Sequence, residues 1–116
     1  MKPLLSMWVG VGRETAGGVP FWATFPSAKL KLFSDRLCVA GPFGCEYRWD
    51  ELLYLDLNEP GVGIVLKTHP EYPSIGVWSP WGIQRRVGDV VIAHDLPVSM
   101  RSTDKPYQRE WTGDGG

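Results

Sequence analysis

No stretch of this chain holds the ~20 consecutive apolar residues that a bilayer-spanning helix needs. Its N-terminal MKPLLSMWVGVG carries one lysine and a short oily run. It has neither the long apolar segment nor the small-residue cleavage site of a secretory signal, so a cytoplasmic protein is expected. A basic excess is missing too: 12 Lys and Arg stand against 13 Asp and Glu, for a net charge of -1. Nucleic-acid binders draw affinity from neutralising phosphates, so no nucleic-acid partner is expected. The chain has only two cysteines and two histidines. Cys38 and Cys45 lie too far apart for the usual paired zinc ligands, and no second pair follows. Free thiols are expected, and neither His69 in THPEYP nor His94 finds a ligand set around it. No metal or other cofactor is implied.

Phosphate-loop chemistry is also lacking. In VGVGRETAGG, Gly12 and Gly17 have the right gap, but Gly18 stands where the phosphate-binding lysine should be, and Val19-Pro20-Phe21 reads as a strand rather than a helix start. Cys45, His69 and a carboxylate have no spacing that suggests a triad. A non-enzymatic protein is expected, with an enzyme as a remote alternative resting on no motif. No internal repeat or low-complexity tract occurs.

What the chain does have is a globular composition and short alternating runs. Its 116 residues suit one domain, and its apolar and charged fractions, 43% and 22%, suit a soluble globule. In ATFPSAKLKLFSDRLCVAGPFG, Ala28, Leu30 and Leu32 alternate with Lys29 and Lys31, which is the period of a half-buried strand. Ser34 and Asp35 make a turn, and Leu37 and Val39 continue the alternation. Pro26 and Ser27 are expected to separate this hairpin from the aromatic run before it. Leu53, Leu55 and Leu57 alternate with Tyr54, Asp56 and Asn58. Strands are predicted at about 6–12, 19–24, 28–33, 36–40, 46–49, 52–59, 62–67 and 74–78. Ser79 as cap and Pro80 as first residue then predict a helix over 80–95, with Ile83, Val87, Val90, Val91 and His94 on its inward stripe. Arg85 and Asp89 form an i, i+4 pair on its outer side. The domain is expected to span 1–99, with 100–116 a polar, flexible tail holding Tyr107 and Trp111.

Strands followed by a single C-terminal helix predict a mostly β, α+β domain. The chain resembles the small bacterial PH-like and GRAM-like domains. The resemblance lies in WATFPSAKLKLF, the return SDRLCV, the turn and strand YRWDELLYLDL, the strand GVGIVLK and the tryptophan-ending IGVWSPW, and it covers about 19–97. It implies a pleckstrin-homology-like barrel of two packed antiparallel sheets, with the helix closing one end. Such a fold hosts many functions.

Two sets of candidate residues follow. Six tryptophans are many for this length. Trp22, Trp49 and Trp78 lie on strand signals and are expected in the core, whereas Trp8, Trp81 and Trp111 fall at edges or ends. Exposed tryptophan and arginine are enriched at binding hot spots. Arg85 and Arg86 sit near the helix start, where the helix dipole disfavours cations. Trp81, Arg85, Arg86 and Trp111 are therefore the candidate contacts to a protein partner or a second copy of the chain. The alternative is an anionic lipid headgroup held by Lys29, Lys31 and Arg36, which would need these cations to converge.

Overall fold

The computed structural model describes residues 2–14, 20–41, 44–58, 61–68 and 75–101. These form eight strands, one tight 3-10 turn and one α-helix. The strands are β1 (Leu5–Glu14), β2 (Pro20–Leu32), β3 (Arg36–Ala40), β4 (Cys45–Arg48), β5 (Leu52–Asn58), β6 (Gly61–Leu66), β7 (Ile75–Trp78) and β8 (Met100–Arg101). The 3-10 turn, Trp49–Glu51, joins β4 to β5, and helix α1 is Ile83–Ala93. The protein is thus mostly β with a single described helix.

All eight strands belong to one sheet, in the order β4-β3-β2-β1-β7-β6-β5-β8. Two separate sheets were expected. They merge because β1 pairs with β2 along one edge and with β7 along the other. Every pairing is antiparallel except that of β8 with β5. The sheet bends upon itself, since inward side chains from both halves meet in one core. Leu30, Leu37 and Val39 share it with Leu55, Leu57 and Ile64. Ile83, Val87 and Val91 of α1 pack into the same core, each large aliphatic side chain contributing roughly 1.5–3 kcal/mol by leaving water. Period-2 alternation puts Val9 and Val11 of β1 inside and leaves Trp8 half exposed.

Several expected boundaries move. The strands predicted at 19–24 and 28–33 are one strand, β2. Pro26 and Ser27 do not end it, because the ladder to β1 resumes beyond them: Val11 pairs with Ala23 and Val9 with Ala28. Four residues, 24–27, therefore stand opposite Gly10 alone, forming a wide bulge. Trp49 leaves the fourth strand and starts the 3-10 turn, where its buried indole donates from Nε1 to the Phe33 carbonyl at 2.9 Å. A register shift between Leu52 and Tyr54 turns Leu53 outward, although Leu55 and Leu57 stay in the core.

The helix starts at Ile83 rather than near 80. Ser79 caps a turn instead, accepting from the Trp81 N–H at 3.1 Å, and Gly82 precedes the helix with φ 66°. At the other end α1 stops at Ala93, so His94 is the C-cap and is exposed, not part of the inward stripe. Residues 100 and 101, expected in the tail, add to the sheet beside Leu55 and Asp56. The rest of that tail, with Trp111, lies outside the described residues, as do the glycine loop 15–19 and His69.

Candidate functional site

Among the described residues the most exposed large apolar side chain, Trp81, lies where β2, β7 and the approach to α1 meet. The construction of that corner starts with glycine. On the face of β1, β7 and β6 opposite the buried Val11, Val77 and Val62, the paired positions are Gly10, Trp78 and Gly61 in one row and Gly12, Gly76 and Gly63 in the next. Trp78 is thus the only side chain larger than hydrogen on that patch. It lies against Gly10, so that a Cβ on Gly10 would run into its indole Nε1 and Cε2. The bulge of β2 stands opposite the same Gly10 and brings Phe25 to Trp78, with ring centroids 5.7 Å apart. Phe25 in turn meets Trp81 edge to face at 5.0 Å. Such contacts are worth roughly 0.5–1.5 kcal/mol each beyond area burial.

The outcome is a stack of three rings whose outermost member, Trp81, remains 59% exposed. Pro26 and Pro80, both exposed, flank it. Arg85 and Arg86 follow on the outer side of α1 and are also exposed. The first turn of that helix holds no acidic residue, so the arginines work against the helix dipole rather than for it. The structure brings Trp81, Arg85 and Arg86 into one region. It adds Phe25 and Trp78, which sequence reading had missed for different reasons. Trp78 looks like a core residue because it ends an alternating strand. Phe25 becomes a rim residue only through the bulge.

The three basic residues of the alternative site share the outward face of β2 and β3 but do not converge as free cations. Lys29 pairs with Trp8 across the ladder, and its Nζ lies 5.2 Å from the ring centroid. Lys31 stands between Ser6 and Cys38. Arg36 meets Asp35 at 2.8 Å and Glu46 at 3.3 Å, and its guanidinium covers the Phe33 ring. Desolvation works against its charge, but these carboxylates outweigh it and raise the Arg36 pKa above its ordinary value.

The thiols are separated by strand geometry. Cys38 pairs with Glu46 and Cys45 with buried Val39, so the two lie on opposite faces of the β3–β4 ladder. Both are free. Strand β4 is one edge of the sheet. The Arg48 N–H is taken by Glu51 Oε1 at 2.9 Å, and the chain turns away directly afterwards. Among the described residues no group of His, Cys, Asp and Glu gathers as metal ligands. No described helix is long and apolar enough to cross a membrane. Comparison with protein-family models, curated proteins and solved structures finds no match to the chain.

Proposed function

We propose that this protein is a non-enzymatic interaction module with a PH-like barrel, and that it docks a protein partner on the aromatic corner formed by Phe25, Trp78 and Trp81. The strand order, with β1 shared between two antiparallel halves and α1 packed into their common core, supports the PH-like reading. The observation that carries the function is the exposure of Trp81. A ring of that size, 59% open to water and braced edge-on by Phe25, provides apolar area in a fixed orientation. Binding then pays little entropy to order it. Arg85 and Arg86 provide donors at the border of the apolar contact. The alternative headgroup reading is weaker, because Arg36 is already held by two carboxylates.

The test is affinity capture from host lysate with parent, Trp81→Ala and Arg85→Ala/Arg86→Ala chains. Trp81→Ala is expected to lose the parent's stoichiometric partner, a drop of about 2 kcal/mol or more for a hot-spot aromatic. Its stability should fall only by about 0.5–1.5 kcal/mol, the edge contact with Phe25, since Trp81 is outside the core. Retention of every partner by both variants would remove the assignment.

A further inference from the structure

The outward face of β5 and β6 is enclosed, although it lies opposite the core. Val65 has no exposure at all, yet it points away from Ile64 and the core cluster. Tyr54 flanks it across the ladder on one side. β7 begins at Ile75, opposite Ile64, so no described residue pairs with Val65 on the other side. A single flanking ring does not take a valine wholly out of water. Asp56, one step along the same face, is also buried. A carboxylate so enclosed is costly unless cations or donors sit on it. Beside it, Gly63 and Gly61 present bare backbone. The face is thus a glycine-floored groove with an acid in its middle and a valine at one end.

The chain itself leads to this groove. β8 runs parallel to β5 and places Arg101 beside Asp56. Residues 102–116 follow, outside the described residues. The same register, continued, sets Ser102 and Thr103 along the end of β5. Asp104 and Pro106 are turn formers. In the run YQREW, extended backbone puts Tyr107, Arg109 and Trp111 on one side and Gln108 and Glu110 on the other. Two residues of extended chain span ~6.7 Å in tail and strand alike. A run returning over β5 therefore matches Tyr107 to the Gly61–Trp78 row, Arg109 to Asp56 and Trp111 to Val65.

We infer that the C-terminal segment 107–111 docks in cis on the outward face of β5 and β6, with Arg109 on Asp56 and Trp111 on Val65. The cation answers the buried acid, and the large ring takes Val65 out of water. Gln108 and Glu110 stay on the solvent side. Trp111 is then engaged within the chain and is no contact for a protein partner. The inference stands apart from the reading of the aromatic corner as a docking site.

Nuclear Overhauser spectroscopy of the isotope-labelled full-length chain tests it. Contacts between the Trp111 indole and the Val65 methyl groups are expected, at intensities unchanged over a roughly tenfold range of concentration. Arg109→Glu sets an acid on Asp56 and should abolish those contacts. The methyl shifts of Leu30 and Val39, in the core, should stay in place. A Trp111 indole that touches nothing on the sheet overturns the proposal. So do Val65 contacts to Tyr72 in place of Trp111, which would assign the cover to the β6–β7 connection. Contacts seen only between differently labelled chains would put the tail on a second copy and overturn docking in cis. Survival of the Trp111–Val65 contacts in Arg109→Glu would remove the pairing with Asp56. None of these results touches the capture of a partner through Trp81, which the lysate experiment reads separately.

Discussion

Individual residues on the outward face of β1, β6 and β7 owe their identity to what lies above them. Gly10 is covered by the Trp78 indole, and a Cβ on Gly61 would meet the Val77 carbonyl oxygen. Nothing lies within 4 Å of a Cβ built on Gly76. Three alanine substitutions should therefore separate. Gly61→Ala meets backbone, which cannot swing aside, and should cost about 3 kcal/mol or more. Gly10→Ala can be relieved by moving the partly buried Trp78 indole and should cost about 1–2 kcal/mol, with a change in tryptophan emission. Gly76→Ala should be neutral or stabilise by up to about 1 kcal/mol through the unfolded state. Urea denaturation of the three variants checks the order. Equal losses would show that the indole is not seated on Gly10. The glycines were readable in the sequence, but which of them is crowded was not, because crowding is set by the neighbouring strand.

At the scale of elements, the sequence pattern places strands well where burial alternates and poorly where a turn competes. Leu30 and Leu32 point inward as their alternation with Lys29 and Lys31 predicts. Pro26 reads locally as a strand breaker. It is accommodated because a bulge lets the β1–β2 ladder skip residues 24–27. The start of α1 shows the same limit. Ser79-Pro80 has the chemistry of a helix cap, yet Ser79 closes a turn and the helix waits for Gly82. Its far end offers a test. Asp95 follows the C-cap with φ 49°, a left-handed conformation that costs a side-chain-bearing residue roughly 1 kcal/mol. Asp95→Gly should relieve that strain and also remove an acid from the negative end of the helix dipole. Thermal unfolding should shift upward by about 3–6 °C for a gain near 1 kcal/mol. A midpoint that falls would mean that Asp95 makes a compensating contact.

For the molecule as a whole, the decisive feature is that one strand serves two halves. β1 gives its β2 edge to the β2–β4 half and its β7 edge to the β5–β7 half. Val9 and Val11, both fully buried, lie in the core that the halves share. The two halves should therefore unfold together. Tryptophan fluorescence and far-UV circular dichroism are expected to report one coincident transition, and Val11→Ala should shift both probes equally, by about 1–3 kcal/mol. Two separated transitions would show that the halves are independent. The same continuity explains the aromatic corner: β1 carries Gly10 between the bulge that presents Phe25 and the strand that presents Trp78.

By itself the sequence determined the class of element along most of the chain, the inward valines and leucines, and the outward placement of Arg85 and Asp89. All of these follow from local periodicity, which depends only on the geometry of a strand or helix. Only the tertiary structure decided that the strands form one sheet, that Cys38 and Cys45 face apart, that Arg36 is held by Asp35 and Glu46, and that Phe25 and Trp78 join Trp81 at one corner. All but the Arg36–Asp35 contact depend on how strands pair, in the β3–β4 hairpin or between strands distant in sequence. A shift of a single residue in register turns every side chain to the other face, so the site emerges only when the pairings are known.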